Sequence, residues 1–147
     1  MKKKSKHIEI TSLKASYELR VRFNETDPLG IVWHGNYIKY FEDGREAFGR
    51  KYNISYLDVN AHGYATPIVK STCEHKLPLK YGEKAIVEVT YVNTAAAKMI
   101  FQYEIKNEED QIVCIGETTQ VFVNMNGDLS LNIPSFYEEW KKNQKLS

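Results

Sequence analysis

The chain has 147 residues, 42% of them apolar and 27% charged, a balance that suits one globular domain with room for a core. Against 19 acidic residues it carries 20 basic ones, and the formal charge of +1 gives no footing to nucleic-acid or polyanion binding. No stretch approaches the roughly 18 apolar residues of a spanning helix, so no membrane partner is expected.

In chain order, the start is polar. Lys2-Lys3-Lys4 could open a signal peptide, but residues 5–16 lack the apolar run that should follow. A cytoplasmic location is expected, with residues 1–16 loosely ordered. Residues 15–23 alternate Tyr17, Leu19, Val21 and Phe23 with Glu18, Arg20 and Arg22, which predicts a strand with one buried face. The stretch Asn24-Glu25-Thr26-Asp27-Pro28-Leu29-Gly30-Ile31-Val32-Trp33-His34-Gly35-Asn36-Tyr37 follows. Asp27-Pro28 marks a turn, because proline fixes its own φ and keeps the residue before it out of the α region. Gly30 supplies a backbone shape that a Cβ makes costly. His34-Gly35-Asn36 falls where a helix should begin, with unpaired N–H groups and the positive end of the dipole. A carboxylate near such donors suits attack on a carbonyl, or direction of water at it, with the oxyanion held by the donors. From spacing alone, the same residues read first as a strand, a tight turn and a helix cap with nothing bound.

Residues 36–52 hold no proline and set Tyr37, Tyr40, Phe41, Phe48 and Tyr52 at roughly helical spacing. Lys39, Glu42, Asp43, Arg45, Glu46 and Arg50 take the opposite face. Gly44 costs about 1 kcal/mol against Ala inside a helix, which argues for close packing there. Ser55 reads as the N-cap of a short helix over 56–61, closed by Gly63. From 64 to about 126 the language is strand: 64–77, 85–93, 98–106 and 112–124, with turns at 78–83, 107–110 and Asn126-Gly127-Asp128. Cys73 and Cys114 fall inside strands and read as buried free thiols of a reducing compartment. Pro134 opens a last amphipathic helix over 135–142. The sum is one α+β domain over 1–147, its core about 16–128, in which five antiparallel strands form a curved meander around one long helix. The sheet edges need covering, so pairing of sheets between copies is expected.

Thr26-Asp27-Pro28-x-Gly30-Ile31-Val32-Trp33-x-x-Asn36-Tyr37 between a strand and an aromatic helix resembles the acyl-CoA thioesterases of the hot-dog fold, the 4-hydroxybenzoyl-CoA thioesterase branch above all. Thr66-Pro67-Ile68-Val69, with Tyr81-Gly82-Glu83 further on, is similar to the same family. The resemblance runs over about residues 16–128. It implies a helix wrapped by a five-stranded sheet, homodimers joined edge to edge that often pair into homotetramers, and a site at the subunit interface beside the helix head. It implies Asp27 as nucleophile or general base, and the backbone N–H of His34 as oxyanion donor. Substrate contact falls on Gly35, Asn36, Tyr37, Thr66 and Lys98, with Thr66 entering from the partner subunit. The chain departs from that branch at Asn93-Thr94-Ala95-Ala96-Ala97-Lys98, where a single lysine stands in place of a basic cluster. An acyl-ACP thioester is therefore carried beside acyl-CoA as substrate, and a non-catalytic acyl-CoA-binding hot-dog domain is the reading from another class.

Glu25, two residues from Asp27, reads as a solvent-facing charge. His7, His62 and His75 show no ligand-like spacing with one another or with either cysteine, so no metal is expected. A Gly-rich phosphate loop and a Gly-x-Ser-x-Gly elbow are both missing, so the serine-hydrolase route is not available and no cofactor is expected.

Overall fold

The computed structural model describes residues 8–146; the lysines at 2–4 and His7 lie outside them. In chain order the elements are β1 (Ile8–Arg20), a 3-10 turn (Phe23–Glu25), α1 (Asn36–Lys51), α2 (Tyr56–Ala61), β2 (Tyr64–Ala65) and β3 (Ile68–His75). There follow β4 (Lys84–Thr94), β5 (Lys98–Asn107), β6 (Ile112–Val121), β7 (Val123–Asn124) and α3 (Ser135–Asn143). The five long strands form one antiparallel sheet in the order β1-β4-β5-β6-β3, and β2 pairs with β7 in a small second sheet.

The sheet closes on α1 because that helix buries Tyr37, Tyr40, Phe41 and Phe48 on one side and presents Gly44 where the strands come nearest. A Cβ on Gly44 would stand 2.6 Å from the Val89 side chain and 2.8 Å from that of Val87, so the close packing expected at this glycine is there. Phe41 stacks on Tyr103 with ring centroids 4.4 Å apart. Gly116 leaves the room for that ring, since a Cβ there would meet it at 2.4 Å. At 16 residues, about 24 Å, α1 is the longest of the three α-helices among the described residues. α3 closes the far side, with the Trp140 indole donating to the Tyr52 carbonyl at 2.7 Å and the Tyr137 hydroxyl bonded to that of Tyr91.

The short helix is as expected: Ser55 caps α2, its hydroxyl accepting from Asp58 N–H, and Gly63 takes φ +83° just beyond. Four expectations need correction. Residues 8–14 are strand, paired to β4 across a bulge between Ile10 and Lys14; their side chains are mostly exposed, Ile8 and Ile10 included. The first strand ends at Arg20, and Phe23 turns outward on the 3-10 turn. The runs 64–77 and 112–124 each break in two. Pro67 has no N–H to continue the first ladder, and buried Phe122 interrupts the second. The sheet is not a plain meander either, because β3 crosses to the far edge beside β6.

Candidate active site

The Asp27 turn is a miniature hairpin. The Gly30 N–H donates to the Asp27 carbonyl at 2.9 Å, and the Asp27 N–H donates to the Ile31 carbonyl at 2.8 Å. Gly30 takes φ +78° with nothing within 4 Å of a built Cβ, so glycine stands there for backbone shape and not for space. The Asp27 carboxylate accepts from the Leu29 N–H at 2.8 Å through Oδ1. Its second oxygen has no partner among the described residues.

Four bonds fasten this hairpin to the body. Val32 N–H donates to Leu79 at 2.8 Å, Tyr81 N–H to Gly30 at 3.2 Å, and Trp33 N–H to Glu25 at 3.0 Å. The Asn36 side-chain amide donates to the same Glu25 carbonyl at 2.8 Å. Asn36 is thus a tether between the turn and the first residue of α1. Among the described residues the backbone N–H groups of His34 and Gly35, just ahead of α1, donate to nothing. Gly35 is needed beneath Trp33, because a Cβ there would stand 2.1 Å from the indole ring. Tyr37 is a core aromatic. Burial pushes its hydroxyl up to about 12, an effect partly offset by a hydrogen bond with the Leu79 backbone.

Glu25 is not solvent-facing: it is 8% exposed, turned inward by the 3-10 turn. Its Oε1 accepts from the Arg22 N–H at 2.7 Å and from the Tyr40 hydroxyl at 3.1 Å. Burial, then the Glu25 charge, pushes the Tyr40 hydroxyl well above its usual range. Glu25 is therefore a buried brace under the Asp27 turn.

Thr66 and Lys98 lie at the opposite end of the sheet within one chain. Ile68, just past Thr66, pairs with Gln120, which pairs with Met99, whereas the Asp27 turn sits by the start of β4 and the end of β3. Thr66 accepts from the Gln120 amide at both its carbonyl (2.7 Å) and its hydroxyl (3.1 Å). Thr66 and Gln120 border a groove of about 850 Å³ between the outer side of α1 and the head of β3, with Phe48, Ile54 and Met99 in its wall; Lys98 is not part of its lining. Gln120 is 7% exposed, and its Oε1 has no partner among the described residues. A second groove, of about 740 Å³, runs beside the head of α1, where Arg20, Arg22 and Lys39 share the lining with Glu18, Glu25 and Asp43.

One cluster was missed. Cys73, His75 and Cys114 bring one ligand atom each to within 4.8 Å of one another. His75 is directly opposite Cys114 across the β3–β6 ladder, and Cys73 shares a face with His75 two residues back. Spacing along the chain gave His75 no ligand-like relation to either cysteine; strand register, which spacing does not see, brings the three together. The His75 ring lies edge-on to Tyr37 at 5.0 Å and to His34 at 6.4 Å.

A family model described as thioesterase-like superfamily matches residues 21–141. A Bacillus subtilis protein provisionally named acyl-CoA thioesterase YneP is 28% identical over 84% of this chain and 89% of its own. A protein of Aquifex aeolicus provisionally named an esterase is 34% identical over 80% of this chain and 90% of its own. A solved structure of a DHNA-CoA thioesterase from Staphylococcus aureus superposes with TM-score 0.80 at 26% identity, over 90% of this chain and 91% of that one.

Proposed function

The chain belongs to the thioesterase-like superfamily and is a thioester hydrolase of the hot-dog fold; on that premise we propose that its substrate is an acyl-CoA and that Asp27 and the His34 N–H carry the chemistry. The observation behind this is the pairing of a half-satisfied carboxylate on a fastened turn with two unused N–H groups ahead of α1. The thioester carbonyl oxygen rests against the His34 N–H, where the helix dipole adds to the hydrogen bond. The free oxygen of Asp27 attacks the carbonyl carbon, or takes a proton from a water that does. The tetrahedral oxyanion collapses and expels the CoA thiolate, a good leaving group that needs no strong acid. In the first route water then opens the acyl-Asp27 anhydride. Both routes end in free acid and CoA.

The two halves of the site meet in a homodimer. If two β3 edges pair antiparallel about a two-fold axis, the Thr66 end of one copy is carried to the His75 end of the other. The Thr66–Gln120 groove then receives the acyl group of a thioester held at the partner's Asp27. Arg22 and Lys39 stand beside the helix head as the cations that can meet the phosphates of CoA, in a groove that Glu18, Glu25 and Asp43 also line. A homotetramer forms if such dimers pair in turn. The reducing cytoplasm remains the proposed location.

The test is Asp27→Asn, assayed for thiol release from a panel of acyl-CoA thioesters. It keeps its fold and loses about 10²–10⁴-fold in kcat; a full rate sinks the assignment. The acyl-ACP reading is favoured by the lone lysine at 98, where a basic cluster would otherwise meet the nucleotide. Arg22→Glu with Lys39→Glu decides it: KM rises for the CoA thioester but not for the matched pantetheine thioester if the nucleotide is recognised there. Saturable acyl-CoA binding without thiol release would instead mark a binding domain.

A further inference from the structure

The hydrolytic reading makes no use of Cys73, His75 and Cys114. Their ligand atoms lie within 4.8 Å of one another, with the two sulfurs 3.2 Å apart. In a tetrahedral zinc site, with Zn–S about 2.3 Å and Zn–N about 2.0 Å, ligand atoms stand roughly 3.5–3.8 Å apart. Shifts of about an ångström convert the present triangle into one. We propose that Cys73, His75 and Cys114 form a binding site for a thiophilic divalent cation, zinc above all, with the fourth position left to a water molecule.

The donor set selects the metal. Two sulfurs and an imidazole suit zinc and its neighbours, whereas magnesium and calcium require oxygen. The scaffold is rigid, because all three side chains project from the paired strands β3 and β6. Tyr37 holds the imidazole edge-on at 5.0 Å. In the single chain, exposed His75 and half-buried Cys73 give the ion a way in before copies pair, and buried Cys114 forms the floor.

The charges balance. In the free protein Cys73 and Cys114 are free cysteines, not joined in a disulfide. Binding M²⁺ forms two metal–sulfur bonds and releases two protons to solvent, so the cation with two thiolates and a neutral imidazole carries no net charge. A neutral unit avoids the penalty that a lone thiolate incurs at this depth. Affinity rises with pH, as it must when protons are displaced.

The experiment uses the full chain, reduced, freed of metal by chelation and titrated anaerobically with Co²⁺. Thiolate-to-cobalt charge-transfer absorption grows to saturation at one cobalt per chain, and Zn²⁺ bleaches it. Cys73→Ala and His75→Asn, both outside the deep core, weaken binding by at least the roughly 10–100-fold that loss of a mere supporting group costs. Melts without metal confirm that both variants are folded. A reduced protein with no charge-transfer band overturns the site, and so does a band that both variants leave unchanged. The readout is independent of hydrolysis, so it stands or falls apart from the assignment of Asp27.

Discussion

At the scale of single residues, the helix head is held by contacts that leave little freedom. Gly35→Ala drives a methyl into the Trp33 ring, where the built Cβ lies at 2.1 Å, so either the ring or the helix head must move. We expect thiol release to fall while the melting temperature changes little, because Trp33 is surface-lying; unchanged kinetics would show that the head tolerates the shift. Tyr40→Phe acts differently. It removes one of the two donors to buried Glu25 and costs about 1–3 kcal/mol, read by denaturant titration. The turn at Asp27 and Gly30 was legible in the sequence, since Pro28 and a positive-φ glycine are local instructions. Glu25 was not: on an extended strand it faces solvent, and only the 3-10 turn at Phe23–Glu25 rotates it inward.

At the scale of elements, the helices declared themselves and the strands did so unevenly. Ser55 and Gly63 bracket α2 by capping chemistry alone, and Ser55→Ala should cost about 1 kcal/mol in a chemical melt. Gly44 sits where propensity and packing disagree. Alanine gains about 1 kcal/mol of helix propensity. Its methyl meets Val87 and Val89 below 3.0 Å, and overpacking of this kind costs about 1–3 kcal/mol. Packing wins, so Gly44→Ala lowers stability; a rise in melting temperature would show that the sheet yields. Residues 8–14 held only the brief alternation of Ile8 and Ile10, and β4, far along the chain, decides their pairing. The same holds for the meeting of Cys73, His75 and Cys114, which depends on a register between two strands that no local rule fixes.

At the scale of the whole molecule, the open question of the sheet is its β3 edge. Most of that strand is exposed, Val69 included, although it borders a five-stranded sheet. If two copies join there, Val69→Glu places like charges across the two-fold axis. Sedimentation should then shift from dimer toward monomer, with loss of thiol release. A dimer that survives intact would move the interface elsewhere. Only two tryptophans occur in the chain, and they differ sharply in setting. Trp140 is 7% exposed, its indole bonded to Tyr52; Trp33 is 51% exposed and leans on Gly35 and His34. Their emission should therefore separate by colour, blue for the enclosed ring and red for the wet one. With Trp140 replaced by phenylalanine, the protein becomes its own optical reporter, in which the fluorescence of Trp33 follows arrivals and departures at the helix head without any label.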